Sequence, residues 1–328
     1  YSLLSQRMQQ RLEETLNKGE QAMILLNKRG YASFIKCESC GKPIRCPHCD
    51  VTLTYHKAEN RLKCHLCEYF TSVPQVCPEC GSTHLKKIGY GTQKIEEELE
   101  KKYPDARIIR FDFDTTRNKN THLKLLKDFE EHKADIMLGT QMIAKGLDFS
   151  NVTFVGVLMA DLSLMVPDFR ASERTFQLLC QVAGRSGRGD KQGTVMIQTF
   201  NPEHYAIKAA VKQDYEAFFK EEMLFRKKAK YPPFCHLVSV IVQSRTPKNV
   251  HLTALDISKC LKEHLEKVRI IGPQPAFKMQ DIYRERILIK YIESKPIYEQ
   301  LSLIDDYYNR TRKGGVIVAC DFNPYSTY

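Results

Sequence analysis

Four Cys-x-x-Cys pairs fall between residues 37 and 80: Cys37/Cys40, Cys46/Cys49, Cys64/Cys67 and Cys77/Cys80. No other feature of this 328-residue chain narrows its fold so far. Two thiolates two residues apart can grip one face of a tetrahedral ion, and a second such pair completes it. Eight sulfurs therefore predict two closed zinc sites, each with four cysteine ligands. Disulfides are the rival, but their frameworks rarely come as four such pairs, and nothing else here looks secreted. The usual spacings of iron–sulfur ligation are absent. His48 and His65 lie inside pairs and read as bystanders, because eight thiolates suffice. Gly41 and Gly81 directly follow a second cysteine, where a knuckle turns left-handed; Glu68 holds that place after Cys67.

The segment "DVTLTYH" (50–56) alternates Val51, Leu53 and Tyr55, which predicts a strand. "NRLKC" (60–64) can return after a turn at residues 57–60. That hairpin would bring Cys46/Cys49 beside Cys64/Cys67 and leave Cys37/Cys40 for Cys77/Cys80. This nested pairing is the expectation, although spacing alone does not fix it. A zinc-dependent hydrolase is disfavoured, because catalytic zinc keeps an open position and usually has His or carboxylate ligands. Cys180, Cys235, Cys260 and Cys320 are scattered through apolar surroundings and read as small buried hydrophobes.

Outside the cysteines, strands alternate with helices. Helix-like "SQRMQQRLEETLNKG" precedes the strand "QAMILLNKRGY" (21–31), and "GYGTQKIEEELEKKYP" (89–104) resumes as a helix. Then come "ARIIRFDFD" (strand), "HLKLLKDFEEH" (helix), "ADIMLGT" and "VTFVGVLMAD" (strands), "ERTFQLLCQVAG" (helix) and "GTVMIQTF" (strand). This alternation predicts an α/β domain, a parallel sheet with helices on both faces. Its active groups belong on loops at the strand ends. Residues 204–230 read as one basic helix, broken by "YPPF" (231–234). The last third follows a β-α-β-β-α-β order, which suggests a small ferredoxin-like α+β domain. The expected domains are 1–36 with 86–203, a zinc-binding insertion at 37–85, and a carboxy-terminal domain with its helical linker at 204–328.

The net charge of +11 is uneven. Residues 1–90 carry 13 basic and 8 acidic side chains, residues 91–205 carry 16 and 17, and residues 206–328 carry 21 and 14. The basic excess at both ends suits a polyanion such as nucleic acid. No apolar run approaches the ~18 residues of a membrane span, so no membrane partner is expected. The chain opens on Tyr1 rather than Met, as expected of a piece of a longer protein.

Two loops carry chemistry. In "LGTQMIAKGLDF" (138–149), Thr140 and Gln141 offer hydroxyl and amide groups to a sugar–phosphate backbone, Gly146 permits close approach, and Asp148 can organise cations or arginines. In "LLCQVAGRSGRGD" (178–190), Arg185 and Arg188 are permanent cations whose fork geometry fits phosphate. The phosphate cradle they would face, G-x-x-x-x-G-K-[ST], is absent from this sequence. The only Gly-Lys is Gly41-Lys42, followed by Pro43, and there is no D-E-x-H.

These two loops resemble motifs V and VI of superfamily 2 helicases. The cysteine module between "NKRGY" and "GYGTQ", with "RFDFDTT", "ADLSLMVPDFRASERTFQLL" and "GPQPAF", resembles the PriA family of primosomal replication-restart helicases over essentially the whole chain. The resemblance implies a RecA-like second helicase lobe of an ATP-dependent 3′→5′ DNA helicase that acts at stalled or abandoned forks and promotes primosome assembly. It implies ATP and Mg2+ as cofactors of the full-length enzyme, beside the two zinc ions. Arg185 and Arg188 become the catalytic arginines, with Gln181, Gly146 and Asp148 near the nucleotide and Thr140 and Gln141 on DNA. It implicates the carboxy-terminal domain in DNA binding, where Lys278, Arg284, Arg286 and Lys290 could contact phosphate. The implied partners are forked and single-stranded DNA, single-stranded DNA-binding protein, and primosome and helicase-loading proteins. The implied location is the bacterial cytoplasm, with the nucleoid at replication forks. The chain alone, without a Walker A and DEAH lobe, is expected not to hydrolyse ATP. The alternative is a non-catalytic zinc-ribbon module that binds nucleic acid and tethers partners.

Overall fold

The computed structural model describes residues 2–26, 34–48, 51–56, 60–64, 67, 69–88, 92–111, 119–144, 149–184, 192–310 and 315–326. It divides into two compact units, residues 1–32 with 89–222, and residues 33–88 with 223–328.

The first unit is built on five parallel strands. Their spatial order is Thr194–Ile197, Val152–Leu158, Gln21–Leu26, Ile136–Gly139 and Ile108–Phe111. The central strand is buried along its whole length, as is its Val152–Leu158 neighbour. Burial on both faces explains why they read as continuous apolar runs rather than alternating ones. Alternate residues serve opposite cores. Ala22, Ile24, Leu26, Ile136 and Leu138 pack with Met8 and Leu12 of helix Gln6–Asn17 and with Ile95 and Leu99 of helix Thr92–Lys102. Met23, Leu25, Met137, Val155 and Val157 pack with Phe129 of helix Lys119–Glu130 and with Phe176, Leu179 and Val182 of helix Ala171–Ala183. The expected α/β layering is therefore present.

Gly139 ends its strand because nothing larger fits. A Cβ there would lie 2.4 Å from the Phe111 carbonyl oxygen of the adjacent strand.

The single helix read over 204–230 is two, Tyr205–Lys212 and Tyr215–Ala229. Gln213 takes a left-handed conformation that closes the first. Asp214 starts the second, its carboxylate accepting from the Ala217 N–H at 2.9 Å. Ala206, Ile207, Ala209 and Ala210 of the first helix are buried in the first unit's core.

In the second unit, a four-stranded antiparallel sheet has the order Arg269–Met279, Ile282–Tyr291, His236–Ser244 and Ile317–Phe322. Helices Pro247–His264 and Ser294–Asp305 complete the β-α-β-β-α-β succession. Val238, Val240, Val242, Ile287, Ile289 and Val318 face those helices in one apolar core. The strand read as "RIIG" runs on to Met279, and its hairpin turns at Gln280 and Asp281, both with positive φ. The same unit contains the cysteine module. There the predicted hairpin pairs Thr54–His56 with Arg61–Lys63, and the sequence reading missed a third strand, Phe70–Ser72. Strands Phe34–Cys37 and Leu85–Ile88 lie side by side, so the chain enters and leaves the module through one antiparallel pair. Among the described residues, no helix is long and apolar enough to cross a membrane.

Candidate metal centres and strand-end loops

Each cysteine pair is shaped by the same short turn. The N–H of Cys37, Cys46, Cys64 and Cys77 each donates to the carbonyl five residues on, at Lys42, Val51, Tyr69 and Ser82, over 2.7–2.9 Å. Gly41 and Gly81 sit at φ +73° and +72°, as the left-handed knuckle requires. Their N–H groups return to the Cys37 and Cys77 carbonyls at 3.0 and 2.8 Å.

The turns gather the thiols into two clusters. Cys37, Cys40, Cys77 and Cys80 hold their Sγ atoms within 4.8 Å of one another, with Cys37–Cys80 at 3.6 Å and Cys40–Cys77 at 3.7 Å. A tetrahedron with metal–sulfur bonds of ~2.3 Å has edges of ~3.8 Å, so the donor set fits zinc. Cys46, Cys64 and Cys67 form the second cluster, with Cys46–Cys67 at 3.6 Å. Cys49, its expected fourth ligand, lies outside the described residues, as does His65. Among the described residues, the seven cysteines group as the nested arrangement expects. His48 is not among the clustered donors; its Nδ1 lies 2.7 Å from Oδ2 of Asp281.

Electrostatics within the first cluster calls for a cation. The Cys40 N–H, acting against burial, lowers the Cys37 thiol to about 6. At Cys80, a downward pull from the Ser82 N–H is outweighed by burial and by hydrogen bonds with Cys37, Cys40 and Cys77, which push the thiol up to about 12. The cluster thus favours the thiolate at Cys37 and the thiol at Cys80, and four thiolates held this close need a positive charge among them. Exposed pairs Lys42–Glu79 and Lys86–Glu38 lace the knuckles and contribute little.

In the first unit, the loop with Thr140 and Gln141 leaves the carboxyl end of strand Ile136–Gly139 and enters a single 3-10 turn, Gln141–Ala144. Ile143 N–H closes it on the Thr140 carbonyl at 3.1 Å. Thr140 and Gln141 are half-buried at the sheet edge where α/β domains bind ligands. Gln181 is exposed on the last turn of helix Ala171–Ala183. Gly146, Asp148, Arg185 and Arg188 lie outside the described residues. The sequence reading missed Asp161. It is 5% exposed and accepts from Thr199 Oγ1 at 2.6 Å, Phe200 N–H at 2.9 Å and Asn201 N–H at 3.1 Å. Burial raises its pKa, but these donors prevail and hold it below the ordinary carboxylate value. The signal was an Asp three residues past the end of an apolar strand.

Two of the four basic residues expected on DNA have other work. Lys290 is 6% exposed; its ammonium lies 3.2 Å from the Tyr231 ring centroid and donates to the Ala229 carbonyl at 3.0 Å. Burial lowers its pKa, and it braces the "YPPF" elbow rather than facing solvent phosphate. Lys278 donates to the Pro47 carbonyl at 2.8 Å, which ties the carboxy-terminal hairpin to a cysteine knuckle. Arg284 and Arg286 sit half-buried on the helix-free sheet face, opposite Gln243 and Ile241. Of the four scattered cysteines, Cys235 is buried, while Cys180, Cys260 and Cys320 are half-exposed.

Three family models match in tandem. The PriA DNA helicase Cys-rich region domain covers residues 46–70, the helicase conserved C-terminal domain residues 84–190, and the primosomal protein N C-terminal domain residues 227–325. Similar curated proteins include the replication restart protein PriA of Bacillus subtilis, 48% identical over 99% of this chain and 41% of that protein. Those of Chlamydia pneumoniae (43%, 91% and 41%) and Haemophilus influenzae (38%, 88% and 40%) are also similar. The chain thus spans about two fifths of the length of the curated relatives it matches. Among solved structures, the Pyrococcus furiosus Hef helicase domain aligns at 16% identity over 63% of this chain and 27% of that one, with a TM-score of 0.30, too slight to carry an argument.

Proposed function

Because the chain belongs to the PriA family of replication restart proteins, matching its carboxy-terminal part, we propose that it is the second motor lobe, zinc module and carboxy-terminal domain of an ATP-dependent 3′→5′ DNA helicase that restarts replication at stalled or abandoned forks. The observation that carries this reading is the parallel sheet with "LGTQM" at its carboxyl edge and a helix running straight into "GRSGR". Arg185 and Arg188 serve as in-cis arginine fingers on the γ-phosphate of ATP held by a first lobe, where a Walker-type loop and Mg2+ hold the nucleotide. Gln181, Gly146 and Asp148 line the nucleotide, and Thr140 and Gln141 touch the DNA backbone. Two zinc ions, one per cysteine cluster, staple the module. Arg284 and Arg286 contact phosphate, while single-stranded DNA-binding protein and the primosome and helicase-loading proteins are its partners. It works in the bacterial cytoplasm, at forks in the nucleoid.

Alone, the chain hydrolyses no ATP, because its sequence lacks the G-x-x-x-x-G-K-[ST] loop that cradles the β- and γ-phosphates. The test is DNA-stimulated ATP hydrolysis. Arg185→Ala or Arg188→Ala in the full-length protein should lose on the order of 10³-fold or more in rate with the fold intact. A normal rate in either variant, or clear turnover by the 328-residue chain alone, refutes the assignment.

A further inference from the structure

The second unit contains an open cleft of about 420 Å3 lined by His48, Cys67, Tyr69, Phe70, Gln280 and Asp281. Its size falls within the ~300–1,000 Å3 of small-molecule sites. One wall is aromatic. Phe70 is 58% exposed, with the Arg61 guanidinium 5.4 Å from its ring centroid. The Tyr69 ring meets the His48 ring edge-on, at 5.3 Å between centroids and 73° between planes. The facing wall is polar, an amide and a carboxylate at the turn of the carboxy-terminal hairpin.

That turn is fixed in place. Asp281 N–H donates to the His48 carbonyl at 3.0 Å, His48 Nδ1 holds Asp281 Oδ2 at 2.7 Å, and Lys278 donates to the Pro47 carbonyl at 2.8 Å. Met279 packs into the module's apolar cluster beside Leu62 and Leu53. Two elements therefore hold flat rings opposite hydrogen-bonding groups, with the Arg61 guanidinium beside the Phe70 ring.

We propose that this cleft binds one unpaired nucleobase, stacked against Phe70 and read along its edge by Gln280 and Asp281. The proposal rests on the reading of the chain as a DNA-handling protein. A base stacked on an exposed aromatic ring gains ~1–3 kcal/mol regardless of sequence. Asp281 Oδ2 is held by His48 and its Oδ1 lies 3.8 Å from the Lys278 ammonium, yet the carboxylate remains 56% exposed and keeps lone pairs for further donors. Cytosine, adenine and guanine offer exocyclic amino groups to it, whereas the one donor of unpaired thymine, N3–H, lies between two carbonyl oxygens that a carboxylate repels. The site therefore favours amino-bearing bases over thymine. An acidic peptide, the competing occupant beside Arg61, would meet the Asp281 carboxylate.

The test uses the full zinc-loaded chain with fluorescent dC10 and dT10, and a dC10 carrying a central 2-aminopurine. Wild type should prefer dC10 by roughly tenfold. Phe70→Ala should weaken dC10 binding roughly five- to a hundredfold and abolish the stacking quench of 2-aminopurine. Gln280→Ala, which leaves the Asp281–His48 clasp alone, should weaken dC10 as well, and Asp281→Asn should erase the preference over dT10. Zinc content measured on each variant separates loss of contact from loss of fold. Competition by free dCMP assigns the site to mononucleotides, and its absence assigns it to a base within a strand. Unchanged dC10 affinity and quench in Phe70→Ala and Gln280→Ala overturns the cleft while leaving DNA binding standing. Failure of wild type to bind either oligonucleotide or fork DNA overturns the DNA reading as well.

Discussion

Gly139→Ala tests how the sheet positions its strand-end loop. The new Cβ would meet the Phe111 carbonyl oxygen at 2.4 Å, its carbon at 3.3 Å and Ile143 Cγ2 at 2.8 Å. Ile143 is buried in the core and its Cγ2 branches directly from Cβ, so it has little room to yield. The Phe111 carbonyl has less, because Phe111 pairs with Gly139 in the parallel ladder. Restoring an ordinary contact of ~3.2 Å means parting the two strands by most of an ångström, at a cost of about 2–3 kcal/mol in the overpacking range. In a unit of this size each kcal/mol lowers the melting temperature by ~2–4 °C, so the first unit's transition should fall by roughly 4–12 °C. Differential scanning calorimetry on the zinc-loaded chain reads this directly. The second unit's transition should not move, since Gly139 lies wholly in the first. Gly81→Ala provides the contrast. No atom lies within 4 Å of the would-be Cβ, and only φ +72° opposes it. It should cost ~1–2 kcal/mol, and in the other unit. A Gly139→Ala transition within about 1 °C of wild type would falsify the close-approach argument.

Zinc analysis of chelator-washed chain should find two ions, and Cys37→Ser should lose one while melting the knuckles at Gly41 and Gly81; one ion or an iron–sulfur absorption band in wild type refutes the pairing. Asp161 has a folded pKa below its ordinary 3.8, so its stabilisation is complete above that value and fades as pH falls through the folded pKa. Asp161→Ala should therefore cost several kcal/mol at pH 7 by leaving three donors unpaired, and its deficit in a pH series of melting temperatures should shrink toward pH 2. Lys290 has its pKa lowered by burial, so its charge opposes folding below the folded pKa and the penalty disappears at higher pH. Lys290→Met relieves a buried charge but removes the donor to the Ala229 carbonyl and the cation over Tyr231, so stability should change by no more than ~1 kcal/mol, with the salt slope of DNA binding unchanged; a slope reduced by ~0.7–0.9 would show a phosphate contact after all.

Much of this was legible in the sequence because local chemistry and global fold agree. The continuous apolar run that marks "QAMILL" and "VTFVGVL" as doubly buried strands is a property of neighbouring residues, and so is the Cys-x-x-Cys spacing that fixes each knuckle. What escaped depends on distant partners. Lys290 looks like any strand-end lysine until Tyr231 and Ala229 close over it. The strand Phe70–Ser72 is only three residues long and is stabilised by pairing with Arg61–Lys63, not by its own pattern. The break at Gln213 carries no Gly or Pro; it depends on one left-handed residue and the Asp214 cap. Lys278 was identified as a functional cation from its charge alone, and only the fold shows the Pro47 carbonyl beneath it.

The central strand of the first unit also sets a clock. Ala22 pairs with Ile136, 114 positions later, and with Phe154 beyond that. At ~5–20 residues per second of synthesis, the segment "QAMILL" emerges roughly 6–23 s before its first strand partner exists. It is short, uncharged, apolar and free of proline, the kind of window that seeds β-aggregation when left bare. The cysteine module is made during that interval, and it closes on its own entry and exit strands without borrowing this one. The nascent chain therefore carries a metal-stapled body downstream of an unpaired hydrophobic strand, and its yield in the cell depends on what shields six residues for those seconds.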